Sequence, residues 1–192
     1  MILYLCIIAV AMVVISALVS LLASMAFWPV FGMTGLATGL LFLIDALVAT
    51  GARLLPASCA DHTKKIFTVS AKEKKFYEKL KIRKWKDKVP EIGHFTGFRK
   101  NKLDDPQNPA YVERFLLESC YGEIGHFFSS VLGFLILFLF PIAEIWLAVA
   151  IPASLVNVCL NLPSLFILRY NSYKLEILRK ANLKKQRRMQ GN

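Results

Sequence analysis

Lysine and arginine are missing from most of this 192-residue chain. All 24 lie in two segments, sixteen from Arg53 to Arg114 and eight from Arg169 to Arg188. A nucleic-acid binder spreads its basic residues over a folded soluble surface, so this distribution argues against nucleic acid as a partner. Cysteine is scarce as well. Cys6, Cys59, Cys120 and Cys159 share no CxxC spacing, and Cys6 and Cys159 sit inside apolar runs, which argues against a disulfide framework. Cys59 and His62 are spaced as CxxH, but no second ligand pair follows at a zinc-like interval, and no metal site is expected. No glycine-rich fingerprint, internal repeat or low-complexity run is present. The chain is therefore expected to carry no bound cofactor, and a lipid methyltransferase or reductase finds no support.

Apolar residues are what the chain has in excess. At 56% hydrophobic content and a mean hydropathy of +0.49, it carries more apolar surface than one small soluble core can hide. The reading is an all-α integral membrane protein with about four transmembrane helices in two hairpins, a basic cytoplasmic loop and an amphipathic C-terminal tail. Met1 to Phe27 has no charged side chain, and about 20 such residues cross the hydrocarbon core. The first span is expected over 3–26. Ser24-Met25-Ala26 resembles a signal-peptide cleavage site, but no basic residue precedes the apolar run and the run is long for a signal peptide. A break at Trp28-Pro29 leads into a second span over 30–50, interrupted only by Asp45. The third and fourth spans are expected over 126–142 and 145–168, separated by a turn from Pro141 to Glu144. The domains are thus a hairpin over 1–53, a basic loop over 54–124, a hairpin over 125–170 and a basic tail over 171–192.

Lysine and arginine favour the cytoplasmic side, which places the loop, the tail and both termini there, in a multi-pass protein of the cell membrane. Within the loop, Ala71 to Leu80 reads as a basic helix bearing Phe76, Tyr77 and Leu80, with a bend near Leu80 before Ile82, Trp85 and Val89. Lysine interleaved with aromatic residues suits an anionic inner-leaflet surface; a solvated basic loop is the other reading. Gly93, Gly97, Pro106 and Pro109 mark an irregular stretch.

Glu123 and His126 are three residues apart and share a helical face. A carboxylate beside an imidazole makes a general base, the Glu fixing the tautomer while the His takes a proton from an attacking hydroxyl. The same His read structurally simply caps or snorkels at the interface. Glu118 is a second candidate carboxylate, offset by roughly 80 degrees from His126 on an ideal helix. Glu123-x-x-His126 is also half of a di-iron helix-bundle site, but this chain has no second Glu-x-x-His. Cys120 has no neighbour that would lower its pKa, and a small buried Cys is the commoner finding. Asp45 is costly within an apolar run and is expected to face the protein interior, where Asn157 or Asn161 can receive it. Arg169, Tyr170 and Asn171 end the fourth span with a cation, an interfacial aromatic and a helix terminator, a set that can hold phosphate or serve as an ordinary anchor.

The order of these signals is informative. Trp85-Lys86-Asp87-Lys88-Val89-Pro90, Gly97-Phe98 with Lys100 and Leu103, Tyr111, Arg114-Phe115, Glu118, Cys120, Glu123, His126, Asn161-Leu162-Pro163 and Arg169-Tyr170-Asn171 resemble the glycosyl-4,4'-diaponeurosporenoate acyltransferase family. The resemblance implies a membrane acyltransferase that moves a fatty acyl group from an activated thioester, acyl-CoA or acyl carrier protein, to a sugar hydroxyl of a glycosylated carotenoid or similar glycolipid. His126, Glu123 and Glu118 would be the catalytic set. Arg169, Tyr170, Asn171, Trp85, Lys100, Asn161 and Asp45 would be the binding set. The expected partners are an anionic bilayer surface, the glycolipid acceptor and the thioester donor. A non-enzymatic scaffold that binds anionic lipids through the loop and tail is the alternative.

Overall fold

The computed structural model describes residues 2–89, 103–139 and 144–190. Those residues form six α-helices and no strand. The uncharged N-terminal run gives α1 (Ile2–Leu22). It ends because Ser24 takes a left-handed φ of 52°, letting the Met25 N–H return to the Ser20 carbonyl at 3.0 Å. α2 (Phe27–Leu54) begins before the Trp28-Pro29 pair, so the chain breaks at Ser24 instead. Pro29 sits in the first turn, where its missing N–H would have no helical partner anyway.

Ser70 caps α3 (Ala71–Lys79) by accepting from the Glu73 N–H at 3.1 Å. Lys81, at φ 54°, then turns the chain into the short α4 (Ile82–Trp85). Asn108 accepts from the Ala110 N–H at 3.0 Å and Pro109 opens α5 (Pro109–Leu132), which tightens into a 3-10 turn over Gly133–Phe138. α6 (Glu144–Gln190) runs 47 residues without stopping at Asn171. The expected terminator is overridden because the tail has its own packing: Leu175 is buried against Val112, Phe115 and Leu116. The turn expected at Pro141 and the Gly93 to Gly97 stretch lie outside the described residues.

The chain divides into two compact units, 1–51 with 125–162, and 52–124 with 163–192. The first is held by Ile15, Val19, Val30, Leu41, Ile136 and Trp146. There the Ser16 hydroxyl donates to Thr34 at 2.9 Å with both residues fully buried, and the Trp146 indole donates to the Ile136 carbonyl at 2.9 Å. Leu3, Leu18, Phe42, Leu43 and Leu47 are nonetheless exposed. Apolar side chains exposed along helices this long fit hydrocarbon as the surrounding medium. Four helical segments are long and apolar enough to cross a bilayer: Ile2–Leu22, Phe27–Leu54, Pro109–Phe138 and Ile145–Gln190. The second unit packs Val69, Tyr77, Ile82, Ile167 and Tyr170 in one cluster, and Ala60, Phe67 and Cys120 in another.

Gly133 leaves little room for a side chain in the first unit. A Cβ there would lie 2.8 Å from Asn157 Nδ2 and 3.2 Å from Leu41 Cδ2. Gly133→Ala should therefore destabilise the protein by about 1–3 kcal/mol. Gly122→Ala should cost less, since its Cβ would meet only the flexible end of Leu168. Thermal midpoints of the two variants in detergent check this, and an unchanged midpoint for Gly133→Ala would contradict it.

Candidate functional sites

In the second unit, three helices converge on Arg169. Its Nε and Nη2 donate to Glu73 Oε1 and Oε2 at 2.5 and 3.1 Å. Its Nη1 donates to Glu123 Oε2 at 2.9 Å and to the Ile66 carbonyl at 2.9 Å. Four of the five guanidinium N–H donors are thereby used within the protein. Ser172, one turn along α6, donates its hydroxyl to Glu123 Oε1 at 3.1 Å, and the Tyr77 hydroxyl donates to Glu73 Oε1 at 2.6 Å. Glu123 is only 3% exposed, so this carboxylate depends on those donors rather than on water. Burial works against the charged form of Glu73, but hydrogen bonds from Arg169 and Tyr77 and the guanidinium charge outweigh it. The Glu73 carboxyl is held below its ordinary range. Burial and the bond to Glu73 push the Tyr77 hydroxyl up, so it stays a donor.

A second polar cluster lies in the first unit, which contains no lysine or arginine. Asp45 Oδ1 accepts from Asn157 Nδ2 at 3.3 Å, and Oδ2 accepts from Asn161 Nδ2 at 3.4 Å. Asn161 Nδ2 also donates to the Asn157 carbonyl and to Asn157 Oδ1, each at 3.1 Å. On its other side, Asn161 Oδ1 meets His126 Nδ1 at 2.8 Å. Asp45 thus turns inward onto both asparagines that share its polar seam.

Several expected roles change in this geometry. The carboxylate expected beside His126 is held by Arg169 and Ser172, while the side chain on His126 Nδ1 is Asn161. A guanidinium outcompetes a neutral imidazole for a buried carboxylate. Arg169, expected to hold an anionic substrate group, spends its donors on Glu73, Glu123 and Ile66. Tyr170, expected at an interface, is 1% exposed and lies in a core, with Lys174 Nζ 4.4 Å from its ring centroid. Asn171 lies inside α6 and terminates nothing. Trp85 packs against the same core as Tyr77 and donates its indole N–H to the Leu80 carbonyl at 2.9 Å. Glu118 Oε2 lies 3.3 Å from Arg53 Nη1, an ion pair without hydrogen-bond alignment. Cys120 is buried beside Ala60 and Phe67. His62 turns its two ring nitrogens to Glu113 at 2.7 Å and Glu176 at 3.5 Å. Lys100 lies outside the described residues.

Glu73, Tyr77 and Ser172 escaped sequence reasoning as members of a charged cluster. Ser172 carried a faint signal, three residues after Arg169 on one helical face. Glu73 carried only its place three residues after a capping Ser, a pattern that speaks of helix starts and not of distant arginines.

Four helices long and apolar enough to cross a bilayer, with large apolar side chains exposed along the first two, are those of a helical membrane protein. The sequence profile of the glycosyl-4,4'-diaponeurosporenoate acyltransferase family matches residues 62–181. That span is well over half of the 192-residue chain and holds Glu73, Glu123, His126, Asn161 and Arg169. The chain belongs to this family, and it is an enzyme of the acyltransferase type. No curated protein and no solved structure matches it.

Proposed function

We propose that the protein moves a fatty acyl group from an activated thioester, carried on coenzyme A or acyl carrier protein, to a hydroxyl of a glycosylated lipid such as a carotenoid glycoside. The observation that carries this reading is the family match over residues 62–181. In the proposed step His126 takes the proton from the acceptor hydroxyl as its oxygen attacks the thioester carbonyl. The new ester forms, the carbon–sulfur bond breaks, and the thiolate leaves and is protonated by the imidazolium. His126 is a half-buried imidazole whose Nδ1 is hydrogen-bonded to Asn161, as a positioned base requires. Glu123, with Arg169 and Glu73, acts as a positioning group for α5 rather than as a partner in proton transfer. The donor's anionic part falls to exposed basic residues such as Lys72, Lys75, Lys79 and Arg83, which also suit an anionic inner leaflet.

The reading includes a topology: two transmembrane hairpins in the cell membrane, with both termini and the 54–124 segment cytoplasmic. It rests on the confinement of every Lys and Arg to that segment and the C-terminal tail. Reporter fusions after residue 80 and after residue 190 should be active only with a cytoplasmic reporter. Periplasmic-type activity at either point would overturn the arrangement. For the chemistry, membranes containing the protein should move a labelled acyl group from thioester into the lipid fraction only when a glycosylated acceptor is supplied. Acceptor-independent incorporation would contradict the acceptor class.

A further inference from the structure

Asp45, Asn157 and Asn161 form a chain of amides whose directions are not interchangeable. Asn157 Nδ2 faces two acceptors, Asp45 Oδ1 at 3.3 Å and the Ser129 carbonyl at 3.2 Å. That direction leaves Asn157 Oδ1 to accept from Asn161. Asn161 Nδ2 then faces three acceptors, Asp45 Oδ2, the Asn157 carbonyl and Asn157 Oδ1. Turning either amide over would set oxygen against oxygen, so Asn161 must present Oδ1 to His126 Nδ1 at 2.8 Å. An oxygen that can only accept forces the hydrogen onto Nδ1.

We propose that Asp45 and Asn157, acting through Asn161, are positioning residues that fix His126 in its Nδ1–H tautomer and so place the basic lone pair on Nε2. This rests on the reading of His126 as the base. It also gives Asp45 a role other than substrate contact. The carboxylate supplies two acceptor oxygens in a unit that offers no Lys or Arg, so it orders amides instead of pairing with a cation. Fixing the tautomer matters because the wrong one leaves a hydrogen where the lone pair must be.

The test is nitrogen-15 NMR of protein labelled at histidine. The chain has three histidines, and the His126 signals are assigned by their loss in His126→Gln. Wild type should show a protonated Nδ1 and an unprotonated Nε2. Asn161→Leu should give a mixed tautomer and lower kcat on the order of tenfold with KM little changed, the scale for losing an outer orienting partner. Asp45→Asn, which keeps one acceptor oxygen, should hold the tautomer better than Asp45→Leu. A wild-type His126 protonated on Nε2, or a single unchanged tautomer in Asn161→Leu, would overturn the proposal while leaving the base reading standing. A mixed tautomer with unchanged turnover would sink the base reading and the proposal together. A wild-type spectrum showing the Nε2–H form overturns the proposal even if a variant fails to fold.

Discussion

His126→Ala should lower acyl transfer by about 100-fold or more, the usual scale for a lost general base. The expectation follows from position and from chemistry. The imidazole is half-buried on α5 and held at Nδ1 by Asn161, so its second nitrogen is presented in a defined direction. An acceptor hydroxyl is a poor nucleophile until its proton is taken, and an imidazole with a free lone pair of electrons is suited to take it. Insertion and folding should survive, because the ring is partly exposed and belongs to none of the packed apolar clusters. Initial rates in membranes with matched amounts of the two proteins provide the measurement. Undiminished turnover by an inserted His126→Ala protein would remove the residue from the mechanism.

Arg169→Leu should have the largest effect on stability. It would leave Glu73 and the 3%-exposed Glu123 facing each other's surroundings without their common cation. Breaking a buried pair from one side costs about 3–5 kcal/mol, a large share of what holds a small protein together. Arg169→Lys should fall between, since one ammonium cannot reproduce the two-pronged bond to Glu73 together with the bond to Glu123. Glu123→Gln should be milder than Arg169→Leu, because Glu73 still pairs the guanidinium and the amide oxygen still accepts. Acid should remove the part of that stability that Glu73 supplies. A carboxyl whose folded pKa is depressed, as Glu73's is, gives stability that is complete above the ordinary carboxylate range and lost as pH falls from that range through the lowered folded value. Thermal midpoints in detergent test the series, and an Arg169→Leu protein as stable as wild type would contradict it.

Much of this was legible in the sequence where physics leaves few options. An acid in an apolar run must find polar partners, and Asp45 could be matched to Asn157 and Asn161 before any contact was known. The helical character and the four segments long and apolar enough to cross a bilayer followed from the apolar runs themselves. Helix ends were less legible. Trp28-Pro29 reads as a break although proline is tolerated in a first turn, and Asn171 reads as a stop although the packing of Leu175 carries α6 onward. Tyr170 and Trp85 look like interfacial aromatics because nothing local distinguishes that fate from burial. The partner of Glu123 was the hardest to see. Spacing along a helix offered His126, whereas Arg169 and Ser172 on α6 meet it only after folding.

Ester formation by the protein itself is the most direct test of acyl transfer. Purified enzyme in vesicles with an anionic outer face, supplied with a radiolabelled acyl thioester and a glycosylated carotenoid acceptor, should yield labelled acyl ester on the sugar, releasable by mild alkali. The His126→Ala protein should lose nearly all of that product. No ester above protein-free vesicles, with the protein folded and bound to the anionic surface, would contradict the enzymatic account and leave a lipid-binding scaffold in its place.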